Sequence, residues 1–338
     1  MANPPVKVIV EQCVPFLEPL EEVCDVVRLP YPEITPNAVK DANALIVRTR
    51  NKCDAALLEG SKVEFIATAT IGCDHIDLSW CAANGIEVAN APGSNAPAVA
   101  QYVFSSLMRV INRPLKSYRL GIVGVGHVGG IVQKWARSLD MATMLCDPPR
   151  QAAEGGIEWH SLKEIAEKCD IITFHTPLTS SGDYPTYHLA EKEFFESLRR
   201  APIIINSARG AVIDNAAWVE ALNAGICGPA IVDCWEGEPN INLELLKLAS
   251  VATPHIAGYS AEGKWRASKM ALDALCRHFN LPLIMPSGKA APDYPDRIKP
   301  AMAYNSYNPL IETELLKDNP SDFETLRNEY ILRHEIGA

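Results

Sequence analysis

The chain has 338 residues, which at roughly 150 residues per domain predicts two domains. Hydrophobic residues make up 48% and charged residues 21% of the sequence, so long disordered stretches are excluded. The formal net charge is -10, with no long basic run and no apolar stretch of 18 residues. This balance argues against a general nucleic-acid binder and against a membrane protein.

The N-terminus and the cysteines favour a cytoplasmic protein. No basic segment followed by an apolar one opens the chain, so we expect no secretory signal. The ten cysteines form no C-x-x-C pair and no cluster at zinc spacing. We therefore expect reduced thiols and no metal site.

The first hundred residues alternate short apolar runs with helical patterns. The apolar runs lie at residues 6–10, 44–47, 64–69 and 86–89. This alternation predicts parallel strands joined by crossover helices. A proline-rich junction at 91–97 and an apolar helix at 98–111 follow, and we expect this helix to lead from one domain into the next.

A second series of strand and helix signals begins at Arg119. Its apolar runs lie at residues 120–123, 143–146, 171–174, 203–205, 230–232 and 251–252. Ser161 and Glu164 fit a capping box, and Asp214 precedes a helix at 215–222 that ends before Gly225. Six parallel-type runs in about 140 residues predict a doubly wound sheet. A helix at 261–279, a proline-rich segment at 281–300 and a short helix at 323–333 complete the chain.

A glycine-rich turn follows the first strand of this second series. Residues 120–130 read LGIVGVGHVGG, a strand followed by a turn and a helix of apolar periodicity. Gly124 permits the tight turn, Gly126 lets the backbone approach a pyrophosphate, and Gly129 lets the helix pack closely on the strand. The N–H groups at the start of the helix, at His127 and Val128, face the anion. This pattern predicts a dinucleotide site.

The acid at the end of the next strand indicates which dinucleotide is bound. Asp147 follows Gly129 by 18 residues, where a carboxylate accepts hydrogen bonds from both ribose hydroxyls of NAD and repels the 2′-phosphate of NADP. Arg150 is close enough in sequence to accept that phosphate, which leaves NADP as the alternative. The structural alternative is a glycine turn in an unrelated α/β protein, with Asp147 as a strand-end cap. We predict NAD.

Three later segments contain charged or titratable side chains that could bind or transform a ligand. They read IIINSARG at 203–210, IVDCWEGEP at 231–239 and VATPHIAG at 251–258. Ligands of an open parallel sheet bind beyond the carboxyl ends of its strands, so Arg209, Glu238 and His255 are expected to converge there. Each residue alone has a structural explanation, as a salt bridge, a surface acid or a strand-end cap. Together they offer an anion-binding guanidinium, an acid and a titratable imidazole.

Six motifs in fixed order carry a family resemblance. They read TATIGCDH at 68–75, GIVGVGHVG at 121–129, CDPPR at 146–150, TFHTPL at 173–178, WEGEP at 235–239 and TPHIAGY at 253–259. The chain resembles the D-isomer-specific 2-hydroxyacid dehydrogenase family over about residues 40–280. The implied fold is α/β, with two doubly wound parallel-sheet domains, one a Rossmann-type nucleotide domain and one a flavodoxin-like substrate domain, and a small C-terminal appendage.

The resemblance implies a role for each member of the triad. His255 takes the proton of the substrate's C2 hydroxyl while hydride leaves for the nicotinamide, and it donates that proton in the reverse direction. Glu238 hydrogen-bonds the imidazole and orients it. Arg209 binds the substrate carboxylate through a bidentate pair, which a lysine cannot reproduce.

The resemblance also implies two sets of binding residues. The cofactor set is Gly124, Gly126, His127, Val128, Gly129, Asp147, Thr176, Ala208, Asp233 and Gly258. The substrate set is Thr49, Thr70 and Tyr259, to which the basic segment 48–52 adds Arg48 and Arg50 as candidates for a phosphate. A basic run is also common as a solvated face. His175 is a further candidate imidazole, although a histidine at this position is more often structural.

Two features, the paired prolines at 148–149 and Tyr259, are similar to those of one subgroup of the family. The enzymes of that subgroup oxidise a four-carbon, 4-phosphorylated 2-hydroxy acid in pyridoxine biosynthesis. The alternatives are an enzyme acting on 3-phosphoglycerate, glycerate or a related acid, or an NAD-sensing protein without catalysis. We expect residues 1–93 with 258–282 to form the substrate domain and residues 94–257 the NAD domain. Residues 283–338 are expected to form a shortened segment that makes a homodimer.

Overall fold

The structure is a computed structural model that describes residues 5–156 and 159–338. It separates into two compact units, each made from more than one stretch of the chain. The first unit contains the residues up to Asn95 together with Ser260–Pro292 and Ala338. The second contains Ala96–Tyr259 and Asp293–Gly337. The segment that the sequence analysis treats as the C-terminal appendage is thus divided between the two units.

The first unit contains a five-stranded parallel sheet. Its strand order, β2-β1-β3-β4-β5, is that of flavodoxin-like folds. The strands are β1 (Lys7–Glu11), β2 (Asp25–Leu29), β3 (Ala44–Val47), β4 (Phe65–Thr68) and β5 (Glu87–Ala89). The sequence patterns predict four of these strands and miss β2. That strand lies at the edge of the sheet and is only half-buried, so its sequence DVVRL has no continuous apolar run.

Helices cover both faces of this sheet. They are α1 (Pro36–Val39), α2 (Ala55–Leu58), α3 (Leu78–Ala83) and the longer α11 (Ala261–His278). The helices are numbered in chain order, and α4 to α10 belong to the second unit. The Ser260 side chain begins α11 by accepting a hydrogen bond from the Gly263 N–H at 2.9 Å. Ala271, Leu272 and Leu275 on α11 then pack against β1, β3 and β4. A segment far along the chain therefore completes the core of the first unit.

The second unit contains a six-stranded parallel sheet in the order β11-β10-β9-β8-β6-β7. Its strands are β6 (Arg119–Val123), β7 (Ala142–Cys146), β8 (Ile171–Phe174), β9 (Ile203–Asn206), β10 (Ala230–Val232) and β11 (Val251–Ala252). A single parallel bridge joins Leu145 to Trp159 beyond β7. That bridge stands where a Rossmann fold has its third strand, so the order around the glycine turn is 3-2-1-4 as in such folds. The predicted α/β class with two parallel sheets is confirmed.

The helices of the second unit include all those that the capping signals predict. They are α4 (Ala96–Val110), α5 (His127–Ser138), α6 (Pro148–Glu154), α7 (Leu162–Lys168), α8 (Lys192–Glu196), α9 (Asn215–Asn223), α10 (Leu243–Leu248), α12 (Pro300–Ser306), α13 (Leu310–Asp318) and α14 (Phe323–Asn328). Ser161 and Glu164 form the predicted capping box, and Asp214 caps α9. The predicted helix at 323–333 ends five residues early, at Asn328.

The C-terminal elements of the second unit pack on its sheet. Phe323 and Leu316 have no exposed surface and belong to the same apolar cluster as residues of β10 and β11. The Thr313 side chain accepts a hydrogen bond from the N–H of Ala252 at 3.0 Å, so α13 pairs with the edge strand β11. Among the described residues, no helix combines the length and apolar character that a membrane span needs.

Candidate active site

Three neighbouring strands bring the predicted triad to one edge of the second sheet. Ile205 of β9 pairs with Ile231 of β10, and Val232 pairs with Ala252 of β11. The loops that carry the triad follow directly, at residues 207–210, 233–239 and 253–259. Because parallel strands end at the same edge, these loops are neighbours.

His255 and Glu238 form a close pair. Nδ1 of His255 lies 2.8 Å from Oε2 and 3.1 Å from Oε1 of Glu238. With Nδ1 donating to the carboxylate, Nε2 of the neutral imidazole is the atom with a free lone pair. The N–H of Trp235 donates to Oε1 of Glu238 at 2.8 Å and helps to fix the position of the carboxylate. The pair can therefore accept a proton at Nε2 and stabilise the imidazolium that results.

Opposing effects act on the pKa of Glu238. Burial by itself raises the pKa of this carboxyl, whereas the His255 charge, the hydrogen bonds from His255 and Trp235, and the Arg327 charge lower it. The net pKa is below the ordinary value, so Glu238 is an anion over the physiological range.

Asp233 holds the loop that carries His255. Its Oδ1 accepts hydrogen bonds from the Thr253 hydroxyl at 2.7 Å and from the N–H groups of Ile256 at 2.8 Å and Ala257 at 3.0 Å. Burial raises the pKa of Asp233, and these hydrogen bonds offset only part of that rise. His255 itself has a φ of 56°, in the left-handed region that a non-glycine residue seldom adopts. The buried acid thus fixes a backbone conformation that costs energy at His255.

Arg209 lies in the neighbouring loop. Asn206 is fully buried and shapes this loop, because its side-chain amide donates to the carbonyls of Arg209 at 3.0 Å and Gly210 at 3.3 Å. Gly210 packs against the loop that carries Glu238: a Cβ there would lie 1.9 Å from the Trp235 carbonyl oxygen. Asn206 is not among the predicted site residues, although its place at the end of β9 in the IIINSARG motif is the available signal.

The pKa of the buried Cys234 thiol is affected by four charged groups at this edge of the sheet. Burial raises the pKa of Cys234, the negative charges of Asp233 and Glu238 raise it further, and the positive charges of Arg209 and Arg327 lower it. Two acids and two guanidinium groups therefore lie near one sulfur atom. Arg327 is the member of this set that the sequence analysis does not predict.

The glycine turn has the geometry that its sequence predicts. Gly124 has a φ of 85°, and a Cβ at Gly129 would lie 2.1 Å from the carbonyl oxygen of Gly124. At Gly126, by contrast, no atom lies within 4 Å of the place that a Cβ would take. Gly124 and Gly129 are required by the fold, whereas Gly126 leaves open space beside the backbone.

Several groups around this turn fit a dinucleotide. No side chain caps α5 at Gly126, so the first N–H groups of that helix, at His127 and Val128, are available to an anion. Oγ1 of Thr176 and Oγ of Ser207 are buried and have no hydrogen-bond partner within the described part of the chain. Buried polar atoms without partners are rare in proteins, and a bound cofactor would supply them.

Asp147 has a structural role at the end of β7. Its Oδ2 accepts the N–H of Val125 in the glycine turn at 2.7 Å, and its Oδ1 accepts the N–H of Arg150 at 3.1 Å as the cap of α6. The guanidinium of Arg150 is paired with Glu154 through two hydrogen bonds of 2.7 Å. The positive charge that a 2′-phosphate would need is thus already neutralised, which favours NAD over NADP.

His175 is held as a structural residue. Its Nε2 lies 3.0 Å from the Thr173 hydroxyl, and burial lowers the pKa of the ring to about 3. The imidazole is therefore neutral at all physiological pH values. The backbone of His175 also packs against Gly124, where an added Cβ would lie 2.8 Å from its carbonyl carbon.

The predicted substrate residues of the first unit share one edge of its sheet. Residues 48–50 follow β3 and Thr70 follows β4, and these two strands pair through Val47 and Thr68. Thr70 lies 2.6 Å from the Thr68 hydroxyl and donates to the Gly72 carbonyl. Glu11 accepts a hydrogen bond from the Arg48 N–H at 2.6 Å.

The side chains of the basic segment differ in exposure. Thr49 and Arg50 are exposed, and the guanidinium of Arg50 lies 5.1 Å from the centre of the Tyr31 ring. The side chain of Arg48 is half-buried beside Cys13, with Nη1 at 3.8 Å from the sulfur. The segment thus presents cations and a hydroxyl at the carboxyl ends of its strands.

The C-terminal elements contact the loop that contains the remaining predicted residues, Gly258 and Tyr259. Arg333 donates to the carbonyl oxygens of Ile256 at 3.1 Å and Tyr259 at 2.9 Å, and to that of Ala257. No sequence pattern links Arg333 to this loop, because more than 70 residues separate them.

One cluster of possible metal ligands occurs among the described residues. The ligand atoms of His188, Asp214 and Glu236 lie within 4.8 Å of one another. His188 is hydrogen-bonded to Glu236 at 2.7 Å, and Asp214 caps α9. The groups thus satisfy structural roles, and we assign no metal to them.

Comparisons with known proteins show the family of the chain. The family model described as "D-isomer specific 2-hydroxyacid dehydrogenase, NAD binding domain" matches residues 97–257. The erythronate-4-phosphate dehydrogenase of Bacteroides thetaiotaomicron is 47% identical over 98% of this chain and 98% of its own. That of Porphyromonas gingivalis is 42% identical over 98% and 94%, respectively. The chain belongs to the D-isomer-specific 2-hydroxyacid dehydrogenase family.

Within this family, these relatives are named erythronate-4-phosphate dehydrogenases, the members that the motifs of the sequence resemble. Solved structures agree on the fold. NAD-bound 3-phosphoglycerate dehydrogenase of Entamoeba histolytica superposes with a TM-score of 0.69 at 27% identity, covering 85% of this chain and all of that one. The Aquifex aeolicus D-lactate dehydrogenase complexed with NAD and lactic acid gives 0.70 at 23%, covering 81% and 95%. The predictions of an NAD-dependent dehydrogenase and of NAD as cofactor are confirmed.

Proposed function

We propose that this chain oxidises 4-phospho-D-erythronate at C2 to (R)-3-hydroxy-2-oxo-4-phosphooxybutanoate with NAD, as a step of pyridoxine biosynthesis. The observation that carries the proposal is the His255–Glu238 pair, at 2.8 Å, on the carboxyl edge of an NAD-binding sheet. The names of relatives that match over nearly the whole chain support this substrate.

In this reaction Nε2 of His255 accepts the proton of the C2 hydroxyl. The C2–H bond breaks with its electron pair, and bound NAD supplies the acceptor for that hydride. The carbonyl forms as the O–H and C–H bonds break, and His255 becomes an imidazolium that Glu238 stabilises. In the reverse direction the imidazolium returns its proton to the oxygen. Glu238 acts through His255 by fixing the tautomer and the orientation of the ring.

Arg209 is the proposed partner of the substrate carboxylate. Its Nη1 donates to the Ala208 carbonyl at 2.8 Å, so part of the guanidinium is fixed by its own loop. A guanidinium held in this way is pre-organised to bind a carboxylate through two parallel hydrogen bonds.

The proposed NAD site consists of the glycine turn and the loops beside it. Gly124, Gly126, Gly129 and the N–H groups of His127 and Val128 would hold the pyrophosphate. The other proposed contacts are Asp147 at the ribose, Thr176, Ala208, Asp233 near the carboxamide, and Gly258. The unpartnered hydroxyl of Thr176 and the open space at Gly126 support this assignment.

Most of the proposed substrate contacts lie in the first unit. Thr49, Thr70, Arg48 and Arg50 lie at the carboxyl edge of its sheet, and Tyr259 follows the catalytic loop of the second unit. We propose that Arg48 or Arg50, with Thr49, binds the 4-phosphate. A chain of net charge -10 needs such local cations to bind a substrate that carries both a phosphate and a carboxylate.

His255→Asn is the sharpest test of the chemistry. Asparagine tolerates the left-handed backbone of this position, so the loop is expected to keep its shape while the base is lost. We expect kcat to fall about 10²- to 10⁴-fold with NAD affinity unchanged, measured by absorbance at 340 nm and by NAD titration. His278→Asn is the matched control, because His278 forms a 2.7 Å pair with Glu87 on the first unit. Near-normal turnover of His255→Asn would remove His255 from the chemistry.

A substrate comparison tests the phosphate contacts. Arg48→Gln and Arg50→Gln are assayed with 4-phosphoerythronate and with erythronate. We expect at least one of them to lose activity mainly with the phosphorylated acid, because only that substrate loses a charge-assisted contact. Lys52→Gln is the control for loss of a cation, since Lys52 is 83% exposed and paired with Asp54 at 3.1 Å. Equal losses with both substrates in both arginine variants would reject phosphate recognition by these residues.

A substrate panel separates the alternatives for the whole protein. Turnover of 3-phosphoglycerate or glycerate in preference to 4-phosphoerythronate would place the chain elsewhere in the family. NAD binding without turnover of any of these acids would indicate a sensing role instead.

We further propose a cytoplasmic homodimer in which 1–93 with 258–282 binds substrate, 94–257 binds NAD, and 283–338 contributes to the dimer. Free cysteines at all ten positions fit a reducing compartment. The C-terminal elements expose large apolar side chains, namely Tyr304, Ile311, Leu315 and Ile331. Such side chains on a water-soluble surface favour burial against a second copy.

A further inference from the structure

Arg327 of α14 lies against the residues that carry the proposed chemistry. Its Nη1 is 3.9 Å from Oε2 of Glu238, the oxygen that also faces Nδ1 of His255. Its side chain is hydrogen-bonded to that of Tyr259 and is only 18% exposed. Arg327 lies outside residues 97–257, which the family model covers, and it belongs to none of the motifs of the sequence. The C-terminal segment thus adds a cation to the site.

The position of Arg327 is fixed by the packing of its helix. Phe323, one turn earlier, has no exposed surface, and Leu326 packs against the same apolar cluster. Glu324 lies 3.8 Å from the guanidinium but is 44% exposed, so it neutralises the charge only in part. Nε of Arg327 is buried and has no hydrogen-bond partner in the described part of the chain. A buried guanidinium that is incompletely paired has a large effect on neighbouring charges.

The direction of that effect follows from the signs of the charges. Glu238 favours the protonated form of His255, whereas a second cation beside the same carboxylate oxygen disfavours it. Arg327 therefore offsets part of the attraction that Glu238 exerts on the imidazolium. The other charged or titratable groups around the pair are Asp233, Cys234, Arg209, Tyr259, Glu324 and Arg333.

We propose that Arg327 is a positioning residue of the active site, which holds the Glu238 carboxylate and the Tyr259 side chain in place and, through Glu238, sets the pH range in which His255 works as a base. The proposal rests on the proposed function, because it needs His255 as the base. The second turn of a C-terminal helix, rather than the two-sheet fold itself, then adjusts the reaction to neutral pH.

The test is the pH dependence of kcat/KM for oxidation of 4-phosphoerythronate in the full-length protein. In Arg327→Gln the midpoint of the acidic limb, where oxidation is lost as His255 becomes protonated, is expected to rise by about half to one pH unit, because the opposing cation is gone. Arg327→Lys, which keeps the charge, is expected to return most of that shift. In the reductive direction Arg327→Gln is expected to keep its activity to higher pH. The substrate phosphate titrates near pH 6 in every variant alike, so differences between variants come from the protein.

Two controls separate this role from a merely structural one. Glu324→Gln removes the acid beside Arg327 and is expected to move the midpoint down by a few tenths of a pH unit, opposite to Arg327→Gln. Lys192→Gln removes a cation that is 70% exposed, and its profile is expected to match the unsubstituted protein. If Arg327→Gln does not fold, as judged by thermal unfolding, the direction of the Glu324→Gln shift decides the question.

An unshifted midpoint in Arg327→Gln, or in Glu324→Gln where the first variant is unfolded, would overturn the inference. That result leaves the proposed function standing if His255→Asn is inactive. An active His255→Asn variant would instead contradict the proposed function, whatever the arginine variant does.

Discussion

At the scale of single residues, the site depends on a backbone conformation that few kinds of residue adopt. His255 has a left-handed backbone, and the buried Asp233 maintains it through the N–H groups of the next two residues. The imidazole is thereby presented at a fixed angle to Glu238. The strain at His255 is offset by hydrogen bonds to a carboxylate that the sequence analysis assigns only to the cofactor.

The glycines of the dinucleotide turn allow one residue-scale prediction. Gly129→Ala is expected to lower the free energy of unfolding by about 1–3 kcal/mol or more, because the added Cβ would meet the Gly124 carbonyl oxygen at 2.1 Å. Gly126→Ala is expected to fold normally, since its Cβ meets no atom within 4 Å, but to bind NAD more weakly where that space receives the pyrophosphate.

Thermal unfolding and NAD titration of both variants would check this prediction. The two measurements should change independently, stability at Gly129 and affinity at Gly126. Unchanged NAD affinity in Gly126→Ala would contradict the placement of the cofactor at this turn.

At the scale of elements, the C-terminal helices support the strand that carries His255. The N–H of Ala252 in β11 has no strand beyond it and donates to the Thr313 hydroxyl of α13 at 3.0 Å. The same hydroxyl donates to the Pro309 carbonyl at 2.7 Å. A helix side chain thus supplies the hydrogen bond that a further strand would otherwise provide.

Replacing Thr313 by valine would leave the Ala252 N–H buried without a partner. The shape of the side chain is kept, so the expected loss in the free energy of unfolding is about 1–3 kcal/mol, the cost of an unsatisfied buried donor. Thr325→Val on the exposed face of α14 is the control. Denaturant unfolding measures both, and equal stability of the two variants would show that α13 does not contribute to β11 in this way.

At the scale of the whole molecule, the proposed dimer can be tested on the surface of α13. Ile311 and Leu315 are one helical turn apart and are 56% and 46% exposed. Glutamate at both positions is expected to convert a dimer to a monomer, because burying two carboxylates at an interface is costly. Light scattering after gel filtration measures the mass. Leu283→Glu, at a position 69% exposed in the first unit, is the control, and a mass unchanged by the double substitution would exclude this face.

Much of the fold and of the site could be predicted from the sequence. Ten of the eleven strands in the described part of the chain have recognisable apolar runs, and the sequence does not reveal β2 because this edge strand is only half-buried. The glycine turn, the capping box and the motifs of the triad are contiguous, so short windows of sequence contain all the information about them. The sequence patterns do not predict the short helices α12 and α13, since neither has a strong apolar period or a side-chain cap.

The sequence by itself determined the family and the parallel sheets and predicted the triad of Arg209, Glu238 and His255, because strand runs, glycine turns and motifs are local properties of the chain. Only the tertiary structure decided what surrounds them. Arg327 meets Glu238 across 89 positions of the chain, and Arg333 meets the loop after His255 across more than 70. Contacts of that separation depend on how whole elements pack, and no local preference of the backbone records them.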